Sequence, residues 1–339
     1  MGNLIRLFEP EIVNASVATT VDRAFLFAPN HDPAEPLLAR GCPPEALDPA
    51  SPIIPVPSVI NIIGAAAARA QELAPVNVHA LEGSINHLHE ETSARDGNIE
   101  ALADFSRNFH AKLARDLNRL LERKGPVFAG PARITPCIDD ESAFQQLIYS
   151  LTNPVKDGLI EHVRNSPFFS TYDQQAQGRT LLFWDIEWAR WWPAGGPDNP
   201  KISPKQFLVW RKLEITPLPH LARLPAHQRQ TLIRKSVAAV EADTAEKLRI
   251  EGRSVCPVAQ LFATNPRLRP AKPRRSGPKP LVHASSRAAR NAYRAKLRGV
   301  MRCYVPASVA FRAGRFDVEF PPGTFRPPLT KPKIGRAHV

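Results

Sequence analysis

The sequence predicts an α+β fold, in which a small antiparallel sheet with packed helices is followed by a mostly helical, basic C-terminal extension. Three observations lead to this prediction. Strand-like and helix-like segments alternate through the first half of the chain, all five tryptophans fall within residues 184–210, and the positive charge is concentrated near the C-terminus. The 339 residues are enough for two domains with a sizeable core.

The first half of the chain contains seven predicted elements. In chain order they are a strand at 17–27, a helix at 58–73, strands at 76–81 and 85–90, a helix at 99–120, a strand at 132–138 and a helix at 139–151. Ser58 is a suitable N-cap for the first helix, and apolar residues recur at three- and four-residue steps from Ile99 in the second. The order β-α-β-β-α-β-α predicts a small antiparallel sheet with its helices packed on one face.

Changes in composition divide the chain into four regions. Residues 1–160 form the predicted sheet domain, 161–262 a tryptophan-rich, helical accessory region, and 263–333 a basic proline- and arginine-rich linker with a helix. Further helices are predicted at 228–249 and 285–304, and the tryptophans are expected mainly in the core of the accessory region, although indoles can also stack on unpaired bases. The last residues, IGRAHV at 334–339, match a translated sequencing adapter, so we assign them no function.

The charge distribution predicts a polyanionic partner. The net charge is +13, and no acidic residue occurs between Glu251 and Asp317, where fifteen lysines and arginines fall. The rest of the chain holds 30 basic and 32 acidic residues, so this one tract carries the whole excess.

Two other classes of protein are disfavoured by the sequence. Apolar runs are all shorter than the ~18 residues that a membrane span needs, so no membrane association is expected. The four cysteines, Cys42, Cys137, Cys256 and Cys303, are far apart and have no CxxC spacing. This pattern indicates reduced thiols in a cytoplasmic protein rather than a zinc knuckle or a disulfide framework.

The stretch SINHLHEE places His87 and His89 two residues apart on a predicted strand. Side chains at this spacing point to the same face, and two neutral imidazoles are partial ligands for a divalent metal. An exposed polar strand face would produce the same pattern. From this stretch alone, both interpretations stay open.

A second motif, QLIYSLTNPVKDGL, carries Tyr149 and Asn153 four residues apart on a predicted helix that Pro154 ends. A phenol and an amide at this spacing are neighbours on one helix face. The pair offers a nucleophile and a further metal ligand, although a packed helix aromatic is the alternative interpretation of Tyr149.

The ordered combination of VHALEGSINHLHEE, GPVFAG and YSLTNPVKDGL resembles the HUH single-tyrosine transposases, in particular their REP-associated tyrosine transposase branch. The resemblance covers residues 16–158. It implies a ferredoxin/RRM-like HUH domain that cleaves and rejoins single-stranded or hairpin DNA in a metal-dependent reaction. It also implies that His87 and His89 hold Mg²⁺ or Mn²⁺, that Tyr149 attacks phosphorus to form a 5′-phosphotyrosine link, and that Asn153 completes the metal shell or orients the phosphate.

The chain departs from the family pattern at Glu90 and Glu91, where apolar residues are common. These acids are expected to raise the negative charge next to a DNA phosphate, and Glu91 can alternatively assist the metal. A catalytically weak DNA-binding or regulatory protein with the same fold is therefore the alternative function. An RNA-binding sheet is disfavoured because the chain has no aromatic RNP pattern.

The basic tract supplies the candidate DNA-binding residues. One cationic stripe is formed at three- and four-residue steps by Arg287, Arg290, Arg294, Arg298 and Arg302, and an apolar stripe by Tyr293, Leu297, Val300, Met301 and Tyr304. Together with Arg274 and Arg275 of the linker, these arginines are predicted to contact phosphates, with a merely solvated face as the alternative. We expect a cytoplasmic, nucleoid-associated protein, and the sequence leaves monomer and homodimer open.

Overall fold

The computed structural model describes residues 7–31, 57–271 and 280–329. Four strands form an antiparallel sheet in the order β2-β3-β1-β4. The strands are β1 Val13–Thr19, β2 Val76–Gly83, β3 His87–Ala94 and β4 Arg133–Cys137, and they alternate along the chain with helices α1 Val59–Leu73, α2 Glu100–Leu120 and α3 Asp140–Leu151. The predicted α+β class and the order β-α-β-β-α-β-α are therefore confirmed.

The first strand lies earlier in the chain than predicted. It begins at Val13 and ends at Thr19, and a 3-10 turn at Val21–Arg23 follows it. In this turn Asp22 and Arg23 have φ values of 52° and 56°, which lie outside the β region. The run of β-branched and aromatic residues therefore extends past the point at which the backbone turns away from the sheet.

The helices pack on both faces of the sheet, so the expectation of a single covered face is wrong. On one face α1 and α2 build the larger hydrophobic core with Leu88 of β3 and Phe105 and Phe109 of α2. The other face is covered by α3 and by the short helix α4, Asn153–Lys156. The prediction failed because β3 carries polar residues at every second position on the face that packs against α3. Such a pattern normally indicates a solvated face.

Five more helices and a second sheet complete the described chain. The helices are α5 Tyr172–Gln177, α6 Trp188–Trp191, α7 Ala226–Ile250, α8 Val258–Phe262 and α9 Arg287–Arg312, and strands β5 Leu181–Ile186 and β6 Leu208–Leu213 form an antiparallel pair. The helices predicted at 228–249 and 285–304 correspond to α7 and α9. None of the helices in the described segments is long and apolar enough to span a bilayer.

The two-stranded sheet is attached to α1 by amide side chains that replace missing backbone partners. Asn61 Nδ2 donates to Trp184 O at 2.9 Å, and Trp184 N donates to Asn61 Oδ1 at 3.2 Å. At the other end of α1, Gln71 Nε2 donates to Glu214 O at 3.0 Å, while Glu214 N donates to Gln71 Oε1 at 2.9 Å. Each amide thus satisfies one donor and one acceptor of the second sheet.

The five tryptophans of this region differ in burial, and Trp188 is intermediate between the buried and the exposed ones. Trp184 and Trp191 are buried, whereas Trp192 and Trp210 are 57% and 45% exposed. The expectation of core packing is therefore confirmed for the first two and wrong for the second two. The exposed indoles lie at the surface of the second sheet and of the loop that follows α6.

Helix α9 continues eight residues beyond its predicted end, through Pro306, to Arg312. Proline has no N–H for the helix ladder and normally ends or kinks a helix. Here the turns after the proline are buried at Ala307, Ala310 and Phe311, and the Phe311 ring packs against Phe320 with a centroid distance of 5.7 Å. Tertiary packing thus maintains a helix that local sequence would end earlier.

Gly64 of α1 determines how closely the second sheet approaches. A Cβ at this position would lie 2.4 Å from Cε1 of Phe183, which is shorter than any real contact. We therefore expect Gly64→Ala to lower the free energy of unfolding by about 1–3 kcal/mol, measured by urea denaturation.

Gly299→Ala is the matched control, because Gly299 is also helical and a Cβ there meets no atom within 4 Å. This control is expected to be neutral or to stabilise by up to ~1 kcal/mol through helix propensity. Equal effects of the two substitutions would contradict the proposed clash.

Candidate active site

His87, His89, Tyr149 and Asn153 come together at the end of β3 that faces α3 and α4. The His87 and His89 ring centroids are 5.0 Å apart, and the His89 and Tyr149 centroids are 5.7 Å apart. Asn153 Oδ1 lies 2.9 Å from Nε2 of His87. Leu88, between the histidines, points to the opposite face and is fully buried in the larger core, which fixes the direction of both imidazoles.

Asn153 reaches this site from a different element than predicted. Helix α3 ends at Leu151, and Asn153 begins α4, with Pro154 in its first turn. Proline is favoured there because the first helical N–H groups have no intrahelical acceptor. The Thr152 hydroxyl donates to Ile148 O at 2.6 Å and stabilises the junction. The side chain of Asn153 thereby faces His87, although it does not lie on the same helix as Tyr149.

The tautomer of His87 follows from its neighbour Asn86. Asn86 Nδ2 donates to the carbonyl oxygen of Arg23 at 3.1 Å, which leaves Oδ1 of the same amide facing Nδ1 of His87 at 2.9 Å. Asn86 Oδ1 accepts a hydrogen bond only when the proton of His87 is on Nδ1, and in that tautomer Nε2 presents a lone pair to Asn153 Oδ1. Two acceptors that face each other at 2.9 Å suit a shared cation.

His89 is the second nitrogen donor. It is 4% exposed, and neither ring nitrogen has a hydrogen-bond partner among the residues that the structure describes. Burial, together with the neighbouring His87, lowers the pKa of His89 to about 3. Burial also lowers the pKa of His87, although Asp157 partly opposes this effect. Both imidazoles are thus neutral at neutral pH, which is the protonation state that binds metals.

The available ligands at this point are two imidazoles and one amide oxygen. Within the described ranges, no group of three or more His, Cys, Asp or Glu side chains is placed to hold a metal ion. A cation here would therefore take further oxygens from water or from a bound phosphate, as Mg²⁺ does when it keeps several waters. The residues present fit such a partial, open site.

The two acids that follow the histidines do not bring the expected negative charge to this site. Glu90 points to the opposite face of the sheet, where its Oε1 lies 2.6 Å from Nε2 of His110 on α2. Burial alone would lower the pKa of His110, but the Glu90 carboxylate outweighs it and raises this pKa. Glu90 is therefore part of an ion pair beneath α2, and the expectation of its charge beside the phosphate is wrong.

Glu91 shares the face of His89 but is fully buried under α3. Its Oε1 accepts a hydrogen bond from Ser150 Oγ at 2.8 Å. Burial raises the pKa of Glu91 to about 8, so the carboxyl group is largely protonated at neutral pH. Glu91 thus connects β3 to the residue next to Tyr149 in a neutral form.

Tyr149 is accessible to a substrate. Its side chain is 41% exposed, and Nζ of Lys156 lies 4.6 Å from its ring centroid. Lys156 and Asn86 were not among the predicted site residues. Both were within the quoted motifs, but their roles depend on the turn before β3 and on the separate helix α4, which the residue pattern did not indicate.

Five of the predicted DNA-binding arginines lie on α9. Arg287, Arg290, Arg294, Arg298 and Arg302 are exposed, and none forms a salt bridge with a described residue. The apolar side of the same helix packs through Tyr293, Leu297 and Val300 against Leu7 and Val282. Arg274 and Arg275 lie outside the described residues.

The comparisons with known proteins are sparse. No family model matches the chain, and no curated protein matches it. Among solved structures, a REP-associated tyrosine transposase bound to a REP hairpin is similar at 16% identity and a TM-score of 0.36. The similarity covers 52% of this chain and 87% of that one. The function of this protein is therefore inferred from its own residues.

Glu91 has a measurable effect on stability. An acid whose pKa is raised on folding stabilises the protein at low pH, and this contribution is lost as pH rises through the folded pKa. We expect the contribution of Glu91 to the free energy of unfolding, taken as the difference between wild type and Glu91→Gln, to fall between about pH 5 and pH 8 by an amount on the order of 4 kcal/mol.

Glu91→Gln should remove this slope while keeping the acceptor for Ser150, so chemical denaturation across the pH range compares the two proteins. The exposed Glu11→Gln is the control and should keep the wild-type profile. Parallel profiles for wild type and Glu91→Gln would show that Glu91 is ionised in the folded protein.

Proposed function

We propose that this protein cleaves and rejoins single-stranded or hairpin DNA, with Tyr149 as the nucleophile and a divalent cation held by His87 and His89. The observation that carries the proposal is the convergence of two neutral imidazoles, one amide oxygen and an exposed phenol at one end of the sheet. The residue motifs that resemble the HUH single-tyrosine transposases are the same residues that meet there.

The chain's own groups have separable roles in this reaction. His87 Nε2, His89 and Asn153 Oδ1 would hold Mg²⁺ or Mn²⁺, which, when bound, polarises the scissile phosphate. Tyr149 Oη attacks phosphorus, so that a bond from the tyrosine oxygen to phosphorus forms and the bond from phosphorus to the 3′ oxygen breaks. The phenol proton passes to water at this exposed position, and the departing 3′ oxygen takes up a proton.

The fixed tautomer of His87 is the positioning feature of this site. Asn86 holds the proton on Nδ1 and so keeps Nε2 free to bind a cation. Outer-shell partners of this kind typically change metal affinity 10- to 100-fold when they are removed. The exposed arginines of α9 add a phosphate-binding surface that carries no competing acid in its own tract.

Covalent capture tests the nucleophile. A labelled single strand with a short hairpin is incubated with the protein and Mn²⁺, and the products are separated by denaturing electrophoresis. Wild type should form a covalent adduct that Tyr149→Phe does not form, whereas Tyr172→Phe, which removes a phenol on α5, should keep it. Binding without any adduct in wild type would instead support a DNA-binding or regulatory protein.

Titration calorimetry with Mn²⁺ tests the metal site. His89→Ala and Asn86→Ala should each weaken binding by about 10-fold or more, the second because His87 loses the partner that fixes its tautomer. The exposed His227→Ala is the matched control and should bind as wild type does. Unchanged affinity in Asn86→Ala would contradict the role of the tautomer.

A further inference from the structure

A cavity of about 530 Å³ lies between the catalytic face of α3 and the beginning of α9. Helix α3 contributes Gln145, Gln146 and Tyr149 to its wall, α4 contributes Lys156, and α9 contributes Arg290 and Arg294. The remaining wall is the segment 280–284 that leads into α9. The C-terminal extension therefore forms one side of a cavity whose other side carries the proposed nucleophile.

The two sides of this cavity are held together by one carboxylate. Asp139 Oδ1 accepts from Ser142 N at 2.8 Å and caps α3, and Oδ2 accepts from Ser285 N at 2.9 Å, just before α9. Burial by itself would raise the pKa of Asp139, but the hydrogen bonds from Ser285 and Ser142 together outweigh it and lower this pKa. Because one side chain caps α3 and holds the entry to α9, the position of α9 relative to Tyr149 is set before any ligand binds.

The segment before α9 is also hydrogen-bonded to the sheet. His283 N donates to Pro136 O at 2.9 Å, and Ile138 N donates to His283 O at 3.1 Å, so this segment extends the outer edge of β4. Val282 and Tyr293 pack with Leu7 in a small hydrophobic cluster. The cavity is thus built from fixed parts of the fold and does not depend on a loose contact of the extension.

The chemistry of the cavity matches a nucleotide. Lys156, Arg290 and Arg294 are cationic, and no acidic residue lines the cavity among the parts of the chain that the structure describes. Arginine and lysine bind phosphate oxygens, and glutamine amides can hydrogen-bond to base edges. The Tyr149 ring adds an aromatic surface at one end, where a base or sugar can pack.

The size of the cavity is suited to one nucleotide. A volume of about 530 Å³ is within the range that accommodates one small ligand, comparable to a nucleotide. Arg298 and Arg302 lie further along the exposed side of α9, outside this cavity, and remain available to a longer DNA segment.

We propose that this cavity binds one nucleotide of a single DNA strand, adjacent to the phosphate that Tyr149 attacks. The C-terminal extension thereby supplies half of the substrate site through Arg290 and Arg294. This inference rests on the proposed function for the adjacency to the attacked phosphate, whereas nucleotide binding by the cavity is measured independently of any cleavage.

Fluorescence anisotropy with labelled four-residue oligodeoxyadenylate and oligodeoxythymidylate, without metal, tests the cavity. Arg290→Ala/Arg294→Ala should weaken binding at least about tenfold and reduce the slope of log affinity against log salt by about one. The double variant Arg107→Ala/Arg115→Ala removes the same charge from α2, on the other face of the sheet, and should differ from wild type by less than about twofold. Circular dichroism checks that each variant is folded.

Two readouts separate this inference from the proposed function. If both arginine pairs weaken oligonucleotide binding equally, the cavity is not a nucleotide site and only net charge matters, which overturns the inference. Unchanged binding in Arg290→Ala/Arg294→Ala overturns it as well. Absence of a covalent adduct in wild type contradicts the proposed function alone, because selective loss of oligonucleotide binding in the cavity variant still supports the cavity.

Discussion

Helix α3 covers a strand face that carries His87, His89 and Glu91, and this contact organises the candidate site. Burial makes both imidazoles neutral and Glu91 a protonated acid, so a polar face packs without a buried net charge. The Ser150 hydroxyl bonded to Glu91 lies next to Tyr149 in the chain. The same burial therefore keeps the imidazoles of His87 and His89 neutral and places Tyr149 beside them.

The opposite face of β3 explains why this arrangement is stable. Leu88 is fully buried against α1 and α2, and Glu90 is paired with His110 on α2. A shift of the strand by one residue would bury the wrong set of side chains on each face. The alternation of side chains along β3 thus places His87 and His89 on the face of the candidate site. It places Glu90 on the opposite face, against α2.

The C-terminal extension is part of the same structure rather than a separate charged tail. Asp139 caps α3 and also accepts from the backbone just before α9, and the segment at 280–284 adds to the edge of β4. The arginine stripe is consequently divided by position: Arg290 and Arg294 border the cavity beside Tyr149, whereas Arg298 and Arg302 face outward. Arginines that form one stripe in the sequence therefore lie on two different surfaces of the protein.

Local patterns in the sequence determined the α+β class, the order of elements, the apolar face of α9 and the pairing of His87 with His89, because these depend on residue periodicity and capping. Tertiary structure alone decided that helices cover both faces of the sheet and that the Phe183 ring packs against Gly64. It also decided the protonation of Glu91 and the tautomer of His87. These properties depend on burial and on contacts between residues distant in the chain, such as Ser150 with Glu91, which no local pattern encodes.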